Sequence, residues 1–249
     1  MVVAVNSEIA KQNRRTGKGR STGFPRWRTE FMGKRSDTVV LNNPQAFLVE
    51  LAPHATIQAH FHQVDQFQIT VAGNGTLGRN AAAAVALRYA DHHTAYGPID
   101  AGPFGLSFFT IRALSDTGSV LVRAPDYKDF LKPSKQRHAL IEGIALSTEP
   151  VLQNRGEIAM ENLLPDVDGS DGLGAYMLRV GAGMKTTGPD PRATGGQFYL
   201  VLNGSLQYEA ASYPVWSTVY ASASDQPLEL SGGAHGFEAL ILNFPRAQA

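Results

Sequence analysis

Two histidines one residue apart, His60 and His62, are the side chains whose type and spacing most clearly suggest chemistry. Alternate side chains of an extended strand lie on one face, so we expect both imidazoles to point the same way. If extended geometry continues, Gln66 and Gln68 share that face, whereas Asp65 faces away. Imidazoles and carboxamides that converge in a protein interior can hold a divalent metal or bind a polar ligand. We therefore predict His60, His62 and Gln66 as catalytic and metal-binding residues and Gln68 as a ligand-binding residue.

Three further candidates follow this stretch in the chain. Tyr89, His92 and Tyr96 are predicted to bind ligand, because they flank a glycine- and proline-rich loop that can supply hydroxyl and imidazole groups to the same pocket. The alternative is a surface position for His92 and simple packing for the two tyrosines.

The composition limits the class of protein. The chain has 249 residues, 43% hydrophobic and 18% charged, as in globular proteins. It contains no cysteine, which excludes disulfides, thiolate metal sites and a cysteine nucleophile. The first residues do not resemble a secretory signal, and no run approaches the roughly 20 apolar residues of a membrane span. We expect a cytoplasmic protein with no membrane partner.

Charge is distributed unevenly although the net charge is zero. Residues 1–35 hold nine Lys and Arg residues but only two acidic residues, Glu8 and Glu30. We interpret residues 1–35 as a basic N-terminal arm that lies on its own acidic body or on a partner subunit. Nucleic-acid contact is the alternative, and we do not favour it because no helix-turn-helix or similar module accompanies the arm.

Short strands separated by glycine turns dominate the remainder. Gly73-Asn74-Gly75 and Asn203-Gly204 each follow an apolar run and predict hairpin turns. The spacing from Gln66 to Gly73 repeats from Gln197 to Gly204, which indicates an internal repeat. A charged segment with two prolines, residues 125–145, interrupts the pattern. We predict an all-β fold of two tandem barrels or jelly rolls, at 36–124 and 146–249, joined by a linker at 125–145.

These residues resemble the motifs of the cupin superfamily. His60-Phe61-His62 matches its His-x-His, and Gly73 matches the glycine that closes its first motif. Gln66 stands where that motif has glutamate. In the second half the histidine of the second motif is matched by His235, while the first motif there has lost its histidines. The chain thus resembles a bicupin, a pair of double-stranded β-helix barrels of which the second is degenerate.

The resemblance implies a divalent iron, manganese, nickel or zinc ion in the first barrel, and a metal-dependent dioxygenase, isomerase or decarboxylase. The carboxamide of Gln66 is a weaker metal ligand than the glutamate it replaces. The alternative is therefore a metal-free bicupin that binds a small sugar or carboxylate without catalysis. The expected partner is a small molecule, and since cupin barrels often pair through edge strands we also expect a homodimer.

Overall fold

The structure is a computed structural model that describes residues 1–18, 23–34 and 39–246. These residues are mostly extended. In chain order their strands are β1 (Val3–Val5), β2 (Arg14–Lys18), β3 (Pro25–Met32), β4 (Gln45–Leu51), β5 (Thr56–Ile57), β6 (His60–Phe61), β7 (Gln66–Leu77), β8 (Asn80–Ala83), β9 (Ala86–Ala90), β10 (Ile99–Arg112), β11 (Val120–Leu121), β12 (His138–Ile141), β13 (Ala159–Asn162), β14 (Gly174–Val180), β15 (Lys185–Thr187), β16 (Gln197–Tyr208), β17 (Ala211–Pro214), β18 (Thr218–Ala221) and β19 (Glu229–Asn243).

Within residues 1–18, 23–34 and 39–246, helical structure is limited to short segments. The α-helices are α1 (Ser7–Ala10) and α2 (Glu149–Gln153), and single 3-10 turns lie at Lys11–Asn13, Tyr127–Phe130 and Pro191–Ala193. No helix within the described ranges has the length and apolar character needed to cross a bilayer. The fold is therefore all-β.

The chain divides into two compact units. The N-terminal unit comprises Asn13–Ile144, and the C-terminal unit comprises Met1–Gln12 together with the residues from Ala145 onward. The sequence had been divided into an arm at 1–35, barrels at 36–124 and 146–249, and a linker at 125–145. In the structure the basic segment contributes β1 to the C-terminal sheet and β2 and β3 to the N-terminal sheet, and β12 of the predicted linker pairs with β9.

The N-terminal unit is organised by one antiparallel sheet in the order β12-β9-β7-β10-β4-β3-β2. Its register aligns one row of side chains across neighbouring strands, because directly opposed residues of paired strands share a face. Phe47 of β4 lies opposite Thr110 of β10, Thr110 opposite Gln68 of β7, and Gln68 opposite Arg88 of β9. This face forms the inner wall of the unit, where Phe47, Phe108, Tyr96 and other apolar residues make a buried cluster.

The predicted hairpin turn at Gly73-Asn74-Gly75 is wrong. β7 runs through these residues, and the chain reverses after Leu77, which pairs with Asn80 of β8. Gly73 has φ +75° and lies where β10 comes so close that a Cβ would be 2.2 Å from the carbonyl oxygen of Gly105. The glycine therefore permits a close approach of two backbones at a register shift, not a turn.

The C-terminal unit repeats this construction with a filled interior. Its antiparallel sheet has the order β1-β18-β16-β19-β14-β13. The turn predicted at Asn203-Gly204 is also wrong, since β16 continues to Tyr208 and Gly204 approaches Gly236 as Gly73 approaches Gly105. Large side chains, including Tyr199 and Phe237, are fully buried in its core cluster.

Candidate functional site

His60 is held in one orientation by its surroundings. Its backbone exchanges hydrogen bonds with Tyr96, and its Nδ1 donates to the carbonyl oxygen of Gln58 across 2.6 Å. A carbonyl can only accept, so the proton of the neutral ring is on Nδ1 and Nε2 carries a lone pair. Burial, reinforced by the nearby His62, lowers the pKa of His60 to about 3. The ring is neutral near pH 7.

His62 is oriented in the same way by a carboxylate. Its Nδ1 donates to Oδ2 of Asp116 across 2.7 Å, which again leaves Nε2 as an acceptor. Burial and the charge of Arg112 lower the pKa of His62 to about 4 although Asp116 opposes them. Burial raises the pKa of Asp116, but the bond from His62 and the charge of Arg112 outweigh it and bring that pKa to about 2. Asp116 is therefore ionised beside a neutral imidazole.

Gln66 bonds to neighbouring side chains through both ends of its carboxamide. Its Nε2 donates to the hydroxyl of Tyr96, and its Oε1 accepts from Nε and Nη2 of Arg112 at 3.2 and 2.9 Å. Nη1 of Arg112 lies 3.3 Å from Oδ2 of Asp116. Since the Tyr96 ring lies 4.5 Å from that of His60, these side chains form a continuous ring of contacts.

A cavity of about 170 Å³ opens beside these groups in the N-terminal unit. Three arginines and one aspartate line it together with both imidazoles, so its charged groups are mainly cationic. The lining polar side chains are Arg26, Arg28, Thr56, His60, His62, Gln68, Tyr96, Thr110, Arg112, Asp116 and Ser119. Arg28 lies with its Cζ 3.5 Å from the centroid of Phe47 and pairs with Glu30 at 2.6 Å. The arrangement suits an anion that also carries a hydrogen-bond donor.

A smaller side pocket of about 20 Å³ shares Gln68, Ile99 and Phe108 with the cavity. It is mainly apolar. Its other lining residues are Thr70, Leu77, Ala82, Ala86, Leu87, Arg88, Leu106 and Leu140. A volume of this size is comparable to one methyl group or one water molecule.

The structure separates the residues predicted from sequence into two sets. His60, His62, Gln68 and Tyr96 line the cavity, and Gln66 touches its Tyr96 and Arg112. The other two predicted ligand-binding residues do not line it. Tyr89 is buried on the opposite face of the sheet, because it pairs with Phe67, and its hydroxyl donates to Asp91.

His92 lies at the surface, where its Nδ1 bonds to Asp65 across 2.7 Å. That bond raises the pKa of His92. The neighbouring His93 is buried, and its backbone N–H donates to the carbonyl oxygen of His62. His235 in the C-terminal unit is exposed beside Glu149. None of these three rings lines the cavity.

The side chains at the site do not fit a resident divalent metal. Two Nε2 lone pairs face the cavity, but the oxygen of Gln66 already accepts two N–H groups from Arg112. Within the described ranges, no group of three His, Asp or Glu side chains is placed to hold an ion. A dication here would also be repelled by the guanidinium of Arg112.

Sequence reasoning missed the arginines and Asp116. Arg26 and Arg28 are two residues apart, and this period of two places both on the cavity face of β3, opposite Leu51 and Val49. Their alternation was a usable signal, but it was interpreted as part of an arm. Arg112 ends an otherwise apolar strand, which was a second signal. Asp116 lies in the loop between β10 and β11, where no periodic sequence pattern marks it as a cavity residue.

Comparisons with known proteins support the fold of the chain but do not identify a closely related sequence. No family model matches the chain, and no curated protein matches it by sequence. Solved structures do match. A candidate dioxygenase from Nostoc punctiforme is 11% identical, with a TM-score of 0.63 and coverage of 100% of this chain and 85% of its own. The chain has the cupin fold.

Two other neighbours contain metal. The bacterial pirin YhhW from Escherichia coli, solved with nickel(II), is 10% identical with a TM-score of 0.60, covering 99% of this chain and 100% of its own. Oxalate decarboxylase from Bacillus subtilis, described with Mn(II) centres, is 10% identical with a TM-score of 0.59. The match covers 100% of this chain and 78% of the oxalate decarboxylase chain. Identities this low support the cupin fold only.

The C-terminal unit carries different side chains at the equivalent positions of its described residues. Gln197 occupies the place of Gln66 in the repeat, but it lies opposite Asn243 and donates to that carboxamide across 3.0 Å. Tyr199 takes the place of Gln68 and is fully buried in the core, with its hydroxyl bonded to Gln197. No histidine lies between Gly183 and Gln197 of this unit. The His-x-His pair is therefore a feature of the N-terminal unit.

Proposed function

We propose that this chain is a bicupin whose first barrel binds a small hydroxycarboxylate without a resident metal, and whose second barrel is structural. One observation carries the proposal: two neutral imidazoles, each with its lone pair on Nε2, line a cavity that Arg26, Arg28 and Arg112 also line. Guanidinium groups donate paired hydrogen bonds to carboxylates, and imidazole lone pairs accept from a hydroxyl. A neutral sugar would use the imidazole lone pairs but would leave the guanidinium groups without a carboxylate partner.

Binding is favoured over proton transfer. A general base works best when its pKa lies near the operating pH. The pKa values of about 3 and 4 for His60 and His62 lie far below neutrality, so neither ring is a strong proton acceptor. The site is better suited to hold a ligand than to deprotonate it.

The second candidate is a metal-dependent dioxygenase, isomerase or decarboxylase. It is supported by the two unprotonated Nε2 atoms and by the nickel and manganese of the pirin and oxalate decarboxylase neighbours. Elemental analysis of protein purified without an affinity tag separates the two candidates. Stoichiometric transition metal supports the second, and trace metal supports the first.

Calorimetric titration with glycolate and lactate tests the proposed function, with glucose and methylamine as neutral and cationic comparisons. We expect both hydroxycarboxylates to bind and both comparison compounds to fail. Replacing Arg28 by Gln should weaken lactate binding about tenfold or more, since a hydrogen bond to a charged group contributes about 1.5–3 kcal/mol. Arg14→Gln is the matched control, because Arg14 pairs with Glu50 outside the cavity. Equal affinity of the two variants, or binding of glucose alone, would contradict the proposal.

A further inference from the structure

We infer that the guanidinium of Arg112 replaces a divalent cation in this barrel, and that the pair Gln66–Arg112 decides that the site takes an anion and not a metal. The inference rests on the proposed function for the nature of the ligand. The evidence for the replacement itself is the geometry of these two side chains.

Arg112 lies in the interior beside Gln66, the residue that takes the place of the acidic ligand of a metal site. It is 5% exposed, and two of its nitrogens contact the single oxygen of Gln66. A carbonyl oxygen has two lone pairs, and this oxygen therefore has none left for an ion. The oxygen of Gln66 thus contacts the guanidinium cation of Arg112, which belongs to the chain itself.

Arg112 also lies close to Asp116 and to its partner His62, which are residue types that can ligate a metal. Nη1 lies 3.3 Å from Oδ2 of Asp116, and the same carboxylate oxygen accepts from His62. The charge of Arg112 also contributes to the low pKa of His62. One fixed positive charge thus neutralises Asp116 and faces the two imidazoles, as a bound dication would.

Gln66 is neutral, and this neutrality fits the single charge of a guanidinium. A glutamate there would form a second ion pair with Arg112, in addition to Asp116, and would remove the net positive charge that attracts an anion. The equivalent positions of the second unit, Gln197 and Asn243, are both neutral, and their carboxamides bond to each other. A cation at this position is therefore present in the N-terminal unit and is replaced by a neutral carboxamide in the C-terminal unit.

The inference predicts that two substitutions create a metal site. Gln66→Glu alone should not bind nickel, because its carboxylate pairs with Arg112. Arg112→Gln alone should not, because the ligand oxygen stays neutral. The double variant Gln66→Glu/Arg112→Gln frees a carboxylate beside two imidazole Nε2 atoms, which is a three-ligand set. Its gain in nickel affinity should exceed the product of the two single effects by a factor of about 10, as expected for coupled neighbours.

Calorimetric titration of each untagged protein with Ni²⁺ measures these affinities. Adding His60→Ala to the double variant should abolish the gain, which assigns the ion to this site and not to a surface histidine. Gln66→Glu/Arg112→His is a second double variant, chosen because imidazole supplies a further ligand if Arg112→Gln impairs folding. Circular dichroism establishes that each variant is folded.

A folded double variant with no gain in nickel affinity overturns the inference. The proposed function is tested separately, by titration of the native protein with carboxylates. The native protein gives an independent result. Ni²⁺ should leave its melting temperature unchanged, whereas stabilisation that depends on His60 overturns the inference together with the metal-free form of the proposed function.

Discussion

The Nδ1 of His62 donates to Oδ2 of Asp116 across 2.7 Å, and this bond fixes which nitrogen of the ring faces the cavity. Without the carboxylate the neutral ring has two tautomers, and only one presents a lone pair to a ligand. Asp116 is 1% exposed and is bonded to the backbone N–H of Gly118 at 2.8 Å, so it holds the ring from a fixed position. The acceptor function of His62 therefore depends on a residue 54 positions away in sequence.

Acid should destabilise the fold through the two cavity histidines. Their folded-state pKa values, about 3 and about 4, lie below the ordinary 6.5. Between pH 6.5 and 4 the unfolded chain binds protons that the folded chain does not, so the free energy of unfolding falls as pH falls. At pH 5 we expect a loss of about 2 kcal/mol for each ring relative to pH 7. Urea unfolding at both pH values measures it.

The variant His60→Gln/His62→Gln should show a smaller loss of stability between pH 7 and pH 5 than the native protein. His235→Gln should keep the full loss, since His235 is exposed. Equal pH dependence in all three proteins would show that the cavity rings are not the titrating groups.

Replacing Asp116 by Asn should destabilise the N-terminal unit. The pKa of Asp116 is lowered to about 2 from 3.8, so its ionised form contributes stability above pH 3.8 that is lost as pH falls towards 2. The substitution leaves the buried Arg112 without this counter-ion, for which we expect a cost of about 3 kcal/mol at pH 7. Urea unfolding checks the value. Asp126→Asn, at an exposed position of the same unit, should cost little.

Filling the side pocket should change ligand selectivity without weakening the carboxylate contacts. Ala86 lines this pocket and is buried, and the pocket has space for about one methyl group. We expect lactate to bind about fourfold more tightly than glycolate, the effect of burying one methyl group at about 0.8 kcal/mol. Ala86→Leu should remove this preference and preserve glycolate binding, as calorimetric titration will show. The exposed Ala83→Leu should retain the preference.

Loss of Glu238 should destabilise the C-terminal unit only. This carboxylate is fully buried and accepts from the backbone and hydroxyl of Ser147, from Asn203 and from Arg179. Glu238→Gln leaves Arg179 with a weaker partner, and we expect a loss of about 3 kcal/mol in denaturant unfolding. Carboxylate affinity should not change. Glu161→Gln is the matched control, because Glu161 also pairs with Arg179 but is 57% exposed.

Much of the fold was predictable because local patterns encode it. Alternation of side chains in β7 placed Gln66 and Gln68 on the inner face, and the repeat of this strand at Gln197 indicated two all-β units. The glycines were misread, because Gly73 and Gly204 have positive φ for close approach of a second strand, which no local pattern distinguishes from a turn. The cupin fold itself is supported by the structural neighbours.

The site was only partly predictable, because its charges come from distant segments. His60 and His62 were visible from their spacing, and Tyr96 from its place in the loop. Arg28 of β3 and Arg112 of β10 are more than 80 residues apart in sequence, and both reach the cavity because β4 pairs with both strands in the sheet. Tyr89 packs away from the cavity, because Arg88 faces the inner wall and adjacent residues of a strand face opposite sides.

The pairing of β1 with β18 sets an order of events during synthesis. Val3 pairs with Tyr220 and Val5 with Thr218, so β1 is synthesised more than 200 residues before the strand with which it pairs. A fragment that begins at Ala145 would expose the backbone edge of β18, and uncovered edges recruit other strands. Supplying residues 1–12 as a separate peptide should complement such a fragment, as split halves of one protein reassemble.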